Sequence, residues 1–199
     1  DILGLRRVAE GLVYPMFSAD RHVTRESGSG NRYFVSCDYG TINPTVFQLW
    51  RFDMMTCKST CVRAYRHDSR KEKRQKTDEE YYVDLEKFLS GQYVEYIIID
   101  PSAASFKETI RRHGRYLVRD ADNSVLDGIR LMGTLLQAGY LQYHESCTSA
   151  IDEFGMYMWD DKSQEDEVIK EYDHDMDASR YYVQTVVRKE VRSRGIINV

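Results

Sequence analysis

The chain has 199 residues, 42% hydrophobic and 30% charged, which suits one folded domain of ordinary size and excludes wholesale disorder and a two-domain motor enzyme. No stretch approaches the ~18 uninterrupted apolar residues of a membrane span, and Asp1-Ile2-Leu3 lacks the charged-then-apolar opening of a signal peptide. The net charge of −4 provides no basic excess for binding phosphates, so any nucleic-acid contact must come from local patches.

A start without Met reads as a piece of something longer. Residues 1–30 are expected to form a tail: an apolar stretch at Leu12 to Phe17, then polar residues ending in the linker-like Ser27-Gly28-Ser29-Gly30. The compact domain is expected over 31–199. Three β-rich runs, Arg32 to Asp38, Thr45 to Asp53 and Thr60 to His67, are separated by turn residues such as Gly40, Asn43 and Pro44, and read as an antiparallel meander. A basic stretch follows (Arg66, Arg70, Lys71, Lys73, Arg74, Lys76), and then Thr77-Asp78-Glu79-Glu80, a capping box opening an amphipathic helix that stops at Gly91.

From there strands and helices alternate. Val94 to Asp100, with three successive isoleucines, suits a central parallel strand covered on both faces. Ser102 is expected to cap a helix to about His113, Tyr116 to Arg119 a short strand, Ser124 to cap a helix through Ala138, and Tyr140 to His144 another strand. Residues 147–156 read as helical. Met156 to Asp160 and Val168 to Tyr172 are expected to pair as a hairpin around the acidic turn Glu165, Asp166, Glu167, and His174 to about Arg194 to form the last helix. The fold class is therefore α/β, a mixed sheet of meander plus parallel strands flanked by helices.

The cysteines (Cys37, Cys57, Cys61, Cys147) have no zinc-ligand spacing and read as free thiols. Tyr81, Tyr82, Tyr93, Tyr96, Tyr181 and Tyr182 alternate with apolar residues, which fits buried packing better than base stacking.

Asp38 and Asp100 each end a strand, where side chains converge on ligands, and His174 and Asp177 are three residues apart on one helical face. Together they outline a site for two metal ions, Mg²⁺ or Mn²⁺, because clustered carboxylates repel unless a cation neutralises them. Singly, each Asp is equally well a turn former or a helix cap, and the acidic turn Asp173, Asp175, Asp177 suits a helix N-terminus without metal. Asp175 is a reserve candidate. Arg70, Lys71, Lys73, Arg74 and Lys76 are candidates for DNA-backbone contact, with a solvated loop as the alternative.

The run Cys37-Asp38-Tyr39-Gly40-Thr41-Ile42-Asn43-Pro44-Thr45 resembles the first acidic motif of the C-terminal nuclease domain of tailed-phage large terminase subunits. Asp100-Pro101-Ser102-Ala103-Ala104-Ser105-Phe106 is similar to the second, Asp173-His174-Asp175-Met176-Asp177-Ala178-Ser179-Arg180-Tyr181 to the third, and residues 121–130 to the helix between them. Glu10-Gly11-Leu12-Val13-Tyr14-Pro15 resembles the segment leading out of the packaging ATPase domain. The resemblance implies an RNase H-like, metal-dependent endonuclease that cuts concatemeric double-stranded DNA for a headful-packaging phage of Gram-positive bacteria. It gives Asp38, Asp100 and Asp177 as metal-binding carboxylates and His174 as a further ligand or proton-transfer group. It also implies ATP only in a motor domain N-terminal to this chain, the portal protein and the small terminase subunit as partners, and action in the host cytoplasm at the procapsid portal, absent from the mature virion. Little sequence preference and no membrane partner are expected.

Two other readings stay open. Asp38-Tyr39-Gly40-Thr41 also resembles the first phosphate loop of actin and sugar kinases, although the chain is short for two lobes and carries no second Gly-rich loop and no P-loop. A non-catalytic docking module for the portal or another terminase subunit would use the acidic cluster only as a helix cap.

Overall fold

The computed structural model describes residues 11–163 and 166–196; Glu10 of the leading segment and Glu165 of the acidic turn lie outside the described residues. Seven strands form one sheet: β1 (Val23–Thr24), β2 (Arg32–Asp38), β3 (Thr45–Phe52), β4 (Ser59–His67), β5 (Ile97–Ile99), β6 (Val118–Asp120) and β7 (Leu141–His144). Their order across the sheet is β1-β7-β4-β3-β2-β5-β6. β2, β3 and β4 are the antiparallel meander, and β5, β6 and β7 add in parallel at its two sides. The mixed sheet expected from the sequence is therefore present.

Helices cover both faces: α1 (Ala19–His22), α2 (Asp78–Leu89), α3 (Ala104–His113), α4 (Val125–Gln137), α5 (Thr148–Glu153), α6 (His174–Tyr182) and α7 (Arg188–Ser193). The period-2 alternation of strand side chains sorts them between two cores. Val35, Cys37, Phe47, Leu49, Ile97 and Ile99 pack against Tyr81, Leu85, Phe88, Phe106 and Ile110 of α2 and α3. Phe34, Trp50, Phe52 and Ile98 face the other way, towards Leu131, Leu135, Met176, Tyr182 and Val186. On that second face Trp50 stacks on Tyr182 at 4.4 Å and donates its indole N–H to Ser36 Oγ at 3.0 Å, which satisfies the buried polar tip of a large apolar group. Of the tyrosines read as packing residues only Tyr93 differs, at 76% exposed. All four cysteines are free and buried.

Several expectations are corrected. The domain starts well before residue 31: Val13 and Tyr14 are buried, Phe17 stacks on Phe154 at 3.8 Å, and β1 pairs with β7. The apolar run at Leu12 to Phe17 belongs to the core. The Gly/Ser run is bound to the sheet as well, because a Cβ on Gly30 would lie 2.2 Å from the Phe52 carbonyl oxygen and Ser29 Oγ donates to Asp53 at 2.5 Å. Such close approach requires glycine, so the composition that suggests a linker here reports a packed turn.

Thr77 forms the expected capping box with Glu80. Ser102 caps nothing, Ala103 standing at the N-cap of α3, and Ser124 sits at the N-cap of α4 with its hydroxyl turned to Asp122 instead. The expected hairpin reduces to a bridge between Trp159 and Val168, while Met158 bridges Leu12. The last helix is interrupted by a π-helical segment, Val183–Val187, between α6 and α7.

Candidate active site

Asp38 is the last residue of β2 and Asp100 follows the last residue of β5. The two strands are parallel neighbours with Cys37 opposite Ile99, so both carboxylates emerge together at the carboxyl edge of the sheet. By alternation each shares the face of Phe34, Ser36 and Ile98, the face that α6 covers. That helix adds His174 and Asp177 from its first turn. The sequence spacing therefore becomes a spatial group.

The contacts within the group are specific. Tyr181 Oη donates to Asp100 Oδ2 at 3.1 Å and lies 3.5 Å from Asp38 Oδ1. His174 Nδ1 is 2.7 Å from Asp38 Oδ2, with its Nε2 3.9 Å from Asp173. Asp100 Oδ1 accepts from the Ser102 N–H at 2.8 Å, and its Oδ2 also takes the Asn123 side-chain amide at 3.2 Å. Asp177 is held by Arg180, a guanidinium only 1% exposed, which also donates to the Ser124 carbonyl.

Electrostatics divide the carboxylates. Burial pushes the Asp38 carboxyl up to about 6, with the Asp177 and Asp173 charges adding to the rise and His174 opposing it. Burial and Asp177 likewise push Asp173 up. Burial also presses on Asp100, yet hydrogen bonds from Ser102, Asn123 and Tyr181 outweigh it and leave this carboxyl below its usual value. Burial lowers the His174 imidazolium, but Asp38, Asp173 and Glu153 more than compensate and hold it above the usual histidine value.

Asp38, His174 and Asp177 line one cleft together with Asp173, Arg70, Lys71 and Lys170. An acidic floor thus meets basic residues from two loops. Among the described residues no group of three acidic, His or Cys side chains stands at ligand spacing; His174 is engaged with Asp38 and Asp177 with Arg180. The donors that could hold a hard cation are Asp38, Asp100 and Asp177, all oxygen ligands, with His174 beside them.

The structure separates the other candidates. Asp175 points away from the cleft and is fully buried, bound to Gln48, Ser149 and Arg66, as a residue about 100° round an ideal helix from His174 must be. Of the basic stretch Arg66, Arg70 and Lys71 line the cleft. Arg74 pairs with Glu80 at 2.5 Å and Lys76 with Asp84 at 2.6 Å, both on α2, and Lys73 sits in a turn with φ 52°. Arg66 is tied into the interior by Glu153 and Asp175. Sequence reasoning missed Tyr181, Asn123 and Lys170; for Tyr181 the signal was its place four residues after Asp177, on the same helical face.

No protein-family model matches the chain. A curated relative, the large terminase subunit of Escherichia phage T5, is 24% identical over 91% of this chain and 43% of its own length. The large terminase of a thermophilic bacteriophage is 42% identical with a TM-score of 0.84, over 89% of this chain and 46% of that one. The chain thus spans less than half the length of these relatives. Two nuclease domains align over nearly their whole length. That of the P22 large terminase is 15% identical with a TM-score of 0.70, over 92% of this chain and 98% of that one. That of bacteriophage SPP1, with bound Mn, is 17% identical with a TM-score of 0.56, over 81% and 95%. The chain is similar in sequence to phage large terminases and has the RNase H-like fold of their nuclease domains.

Proposed function

We propose that the chain is the nuclease domain of a tailed-phage large terminase, an endonuclease that hydrolyses phosphodiester bonds of double-stranded DNA with Mg²⁺ or Mn²⁺. The observation that carries this reading is that Asp38 shares one cleft with Asp177 and His174 of α6, while Asp100, from the neighbouring parallel strand end, is joined to Asp38 through the Tyr181 hydroxyl. The donor chemistry suits a divalent cation, three carboxylates offering hard oxygen ligands, and binding would draw them to ligand spacing that the described residues do not show without metal. The Asp38 carboxyl is pushed up to about 6 by burial among other acids, so positive charge placed there would be stabilised.

In this reading Asp38, Asp100 and Asp177 are the carboxylate ligands of a two-ion site. Bound Mg²⁺ or Mn²⁺ would supply charge neutralisation at the scissile phosphate and activation of the attacking water. His174, with Nδ1 committed to Asp38, orients that carboxylate and transfers protons at the cleft. Arg70, Lys71 and Lys170 meet backbone phosphates, which positions DNA without reading sequence. Cutting of concatemers, assembly with the portal protein and small subunit, ATP use in a preceding motor domain, and action in the host cytoplasm at the procapsid are carried over from the terminase relatives. A headful-packaging phage with a Gram-positive host is supported by the motif resemblance alone.

A Mn²⁺ titration followed by thermal unfolding tests the metal site. Mass action requires a rise in melting temperature for the wild type and its loss in Asp38→Asn and Asp177→Asn. A wild type indifferent to Mn²⁺ and Mg²⁺ would favour the docking module.

A further inference from the structure

The loop from Asp122 to Ser124, between β6 and α4, is gripped by the π segment and its flanks. Gln184 Nε2 donates to the carbonyls of Asp122 at 2.8 Å and Ser124 at 2.9 Å. Thr185 Oγ1 accepts from the Asp122 N–H at 3.3 Å, Arg180 donates to the Ser124 carbonyl at 3.3 Å, and Arg188 lies 3.6 Å from the Asp122 carboxylate. On a regular α-helix residues 180, 184 and 188 share a face, while 185 turns about 100° away from 184. The wider π turn brings Gln184 and Thr185 to the same loop.

The grip depends on a close approach. Gly128 of α4 faces Gln184, and a Cβ there would lie 2.7 Å from Nε2 and 2.9 Å from Cδ. Gln184 is 4% exposed, and its Oε1 accepts from Arg188 at 3.2 Å, so both ends of the amide are used. From this loop Asn123 donates its side-chain amide to Asp100 Oδ2. With Ser102 on Oδ1 and Tyr181 also on Oδ2, the Asp100 carboxylate is fixed through both oxygens.

We infer that Gln184 is a positioning residue for Asp100: by holding the Asp122 and Ser124 carbonyls it fixes the loop that aims the Asn123 amide at that carboxylate. The inference rests on the reading of Asp100 as a metal ligand. Groups that orient a ligand carboxylate commonly change metal affinity by about 10- to 100-fold when removed.

The test is Mn²⁺ binding by calorimetry to the wild type, Asn123→Ala, Gln184→Glu and the double variant, with circular dichroism to verify folding. Glutamate keeps the side chain's shape and an acceptor for Arg188 but loses the donor to the two carbonyls. Should Gln184→Glu fail to fold, Gln184→Met takes its place. Each single change is expected to weaken Mn²⁺ affinity about 10-fold, and the double no further than the weaker-binding single, because both act through one contact. In cleavage assays the Mn²⁺ concentration for half-maximal rate should rise while the rate at saturating Mn²⁺ is largely retained. Wild-type affinity in the folded variants, or losses that add in the double, would overturn the inference alone. A wild type that binds no Mn²⁺ overturns it together with the functional reading.

Discussion

The Tyr181 hydroxyl donates to Asp100 Oδ2 over 3.1 Å, and the same oxygen stands 3.5 Å from Asp38 Oδ1. One phenol therefore sits between the two strand-end carboxylates, where it relieves their repulsion in the metal-free protein. Tyr181→Phe should lower metal-free stability by about 1.5–3 kcal/mol, the range for a hydrogen bond to a charged group. The added stability from Mn²⁺ should be undiminished, since the cation replaces what the hydroxyl provides. Calorimetric melts with and without Mn²⁺ check this, and a variant that melts like the wild type without metal would deny the hydroxyl that role.

Asp177 has two tasks, and its variants separate them. Arg180 is buried beneath it, so Asp177→Ala leaves a guanidinium uncompensated and should cost about 3–5 kcal/mol. Asp177→Asn keeps an acceptor for Arg180 and should cost much less, while losing the Mn²⁺-dependent rise in melting temperature. Chemical denaturation of the two variants decides it; equal losses would remove the clamp from the account.

Glu153 predicts a pH dependence. Its side chain is 2% exposed, accepts from the Asp175 and Met176 N–H groups at the start of α6, and pairs with Arg66 at 2.5 Å. Burial, reinforced by the Asp175 charge, pushes its carboxyl up to about 7. A carboxyl raised on folding contributes stability that is full below its unfolded value, about 4.3, and is lost as pH rises through about 7. At about 1.4 kcal/mol per pH unit, up to about 4 kcal/mol is at stake across that span. Metal-free melts from pH 4.5 to 8 should therefore fall more steeply in the wild type than in Glu153→Gln; parallel curves would refute the assignment.

Arg70 and Lys71 line the cleft, whereas Arg74 and Lys76 are occupied by acids of α2. Arg70→Ala with Lys71→Ala should weaken DNA binding and flatten its salt dependence by about 0.9 in log–log slope for each phosphate no longer neutralised. Arg74→Ala with Lys76→Ala should leave the slope unchanged. Fluorescence anisotropy between 50 and 200 mM salt, about the range over which counterion release is plain, distinguishes the pairs.

The elements with strong local signals were legible in the sequence. The meander, the Thr77 capping box and the three isoleucines of β5 all appear where periodicity places them, but it takes the β2–β5 register to send Asp38 and Asp100 to one face. The features that escaped depend on approach in three dimensions. Gly28 and Gly30 spell a linker until Thr60 and the Phe52 carbonyl are seen pressed against them. Arg74 and Lys76 read as a phosphate-binding run until the acids of α2 are seen facing them. The π segment has no composition signature, since Val183-Gln184-Thr185-Val186-Val187 reads as ordinary helix interior. Tyr181 reads as packing because it alternates with apolar residues, and its ring is indeed buried; only the fold reveals that its hydroxyl reaches the strand-end carboxylates.

The most direct measurement is cleavage of supercoiled plasmid by this chain in Mn²⁺, Mg²⁺ and EDTA, beside an Asp177→Asn variant verified as folded. The account predicts cutting by the wild type with divalent metal, none in EDTA, and none by the variant. Plasmid left intact by the wild type in both metals, or cut equally well in EDTA or by the variant, would contradict it.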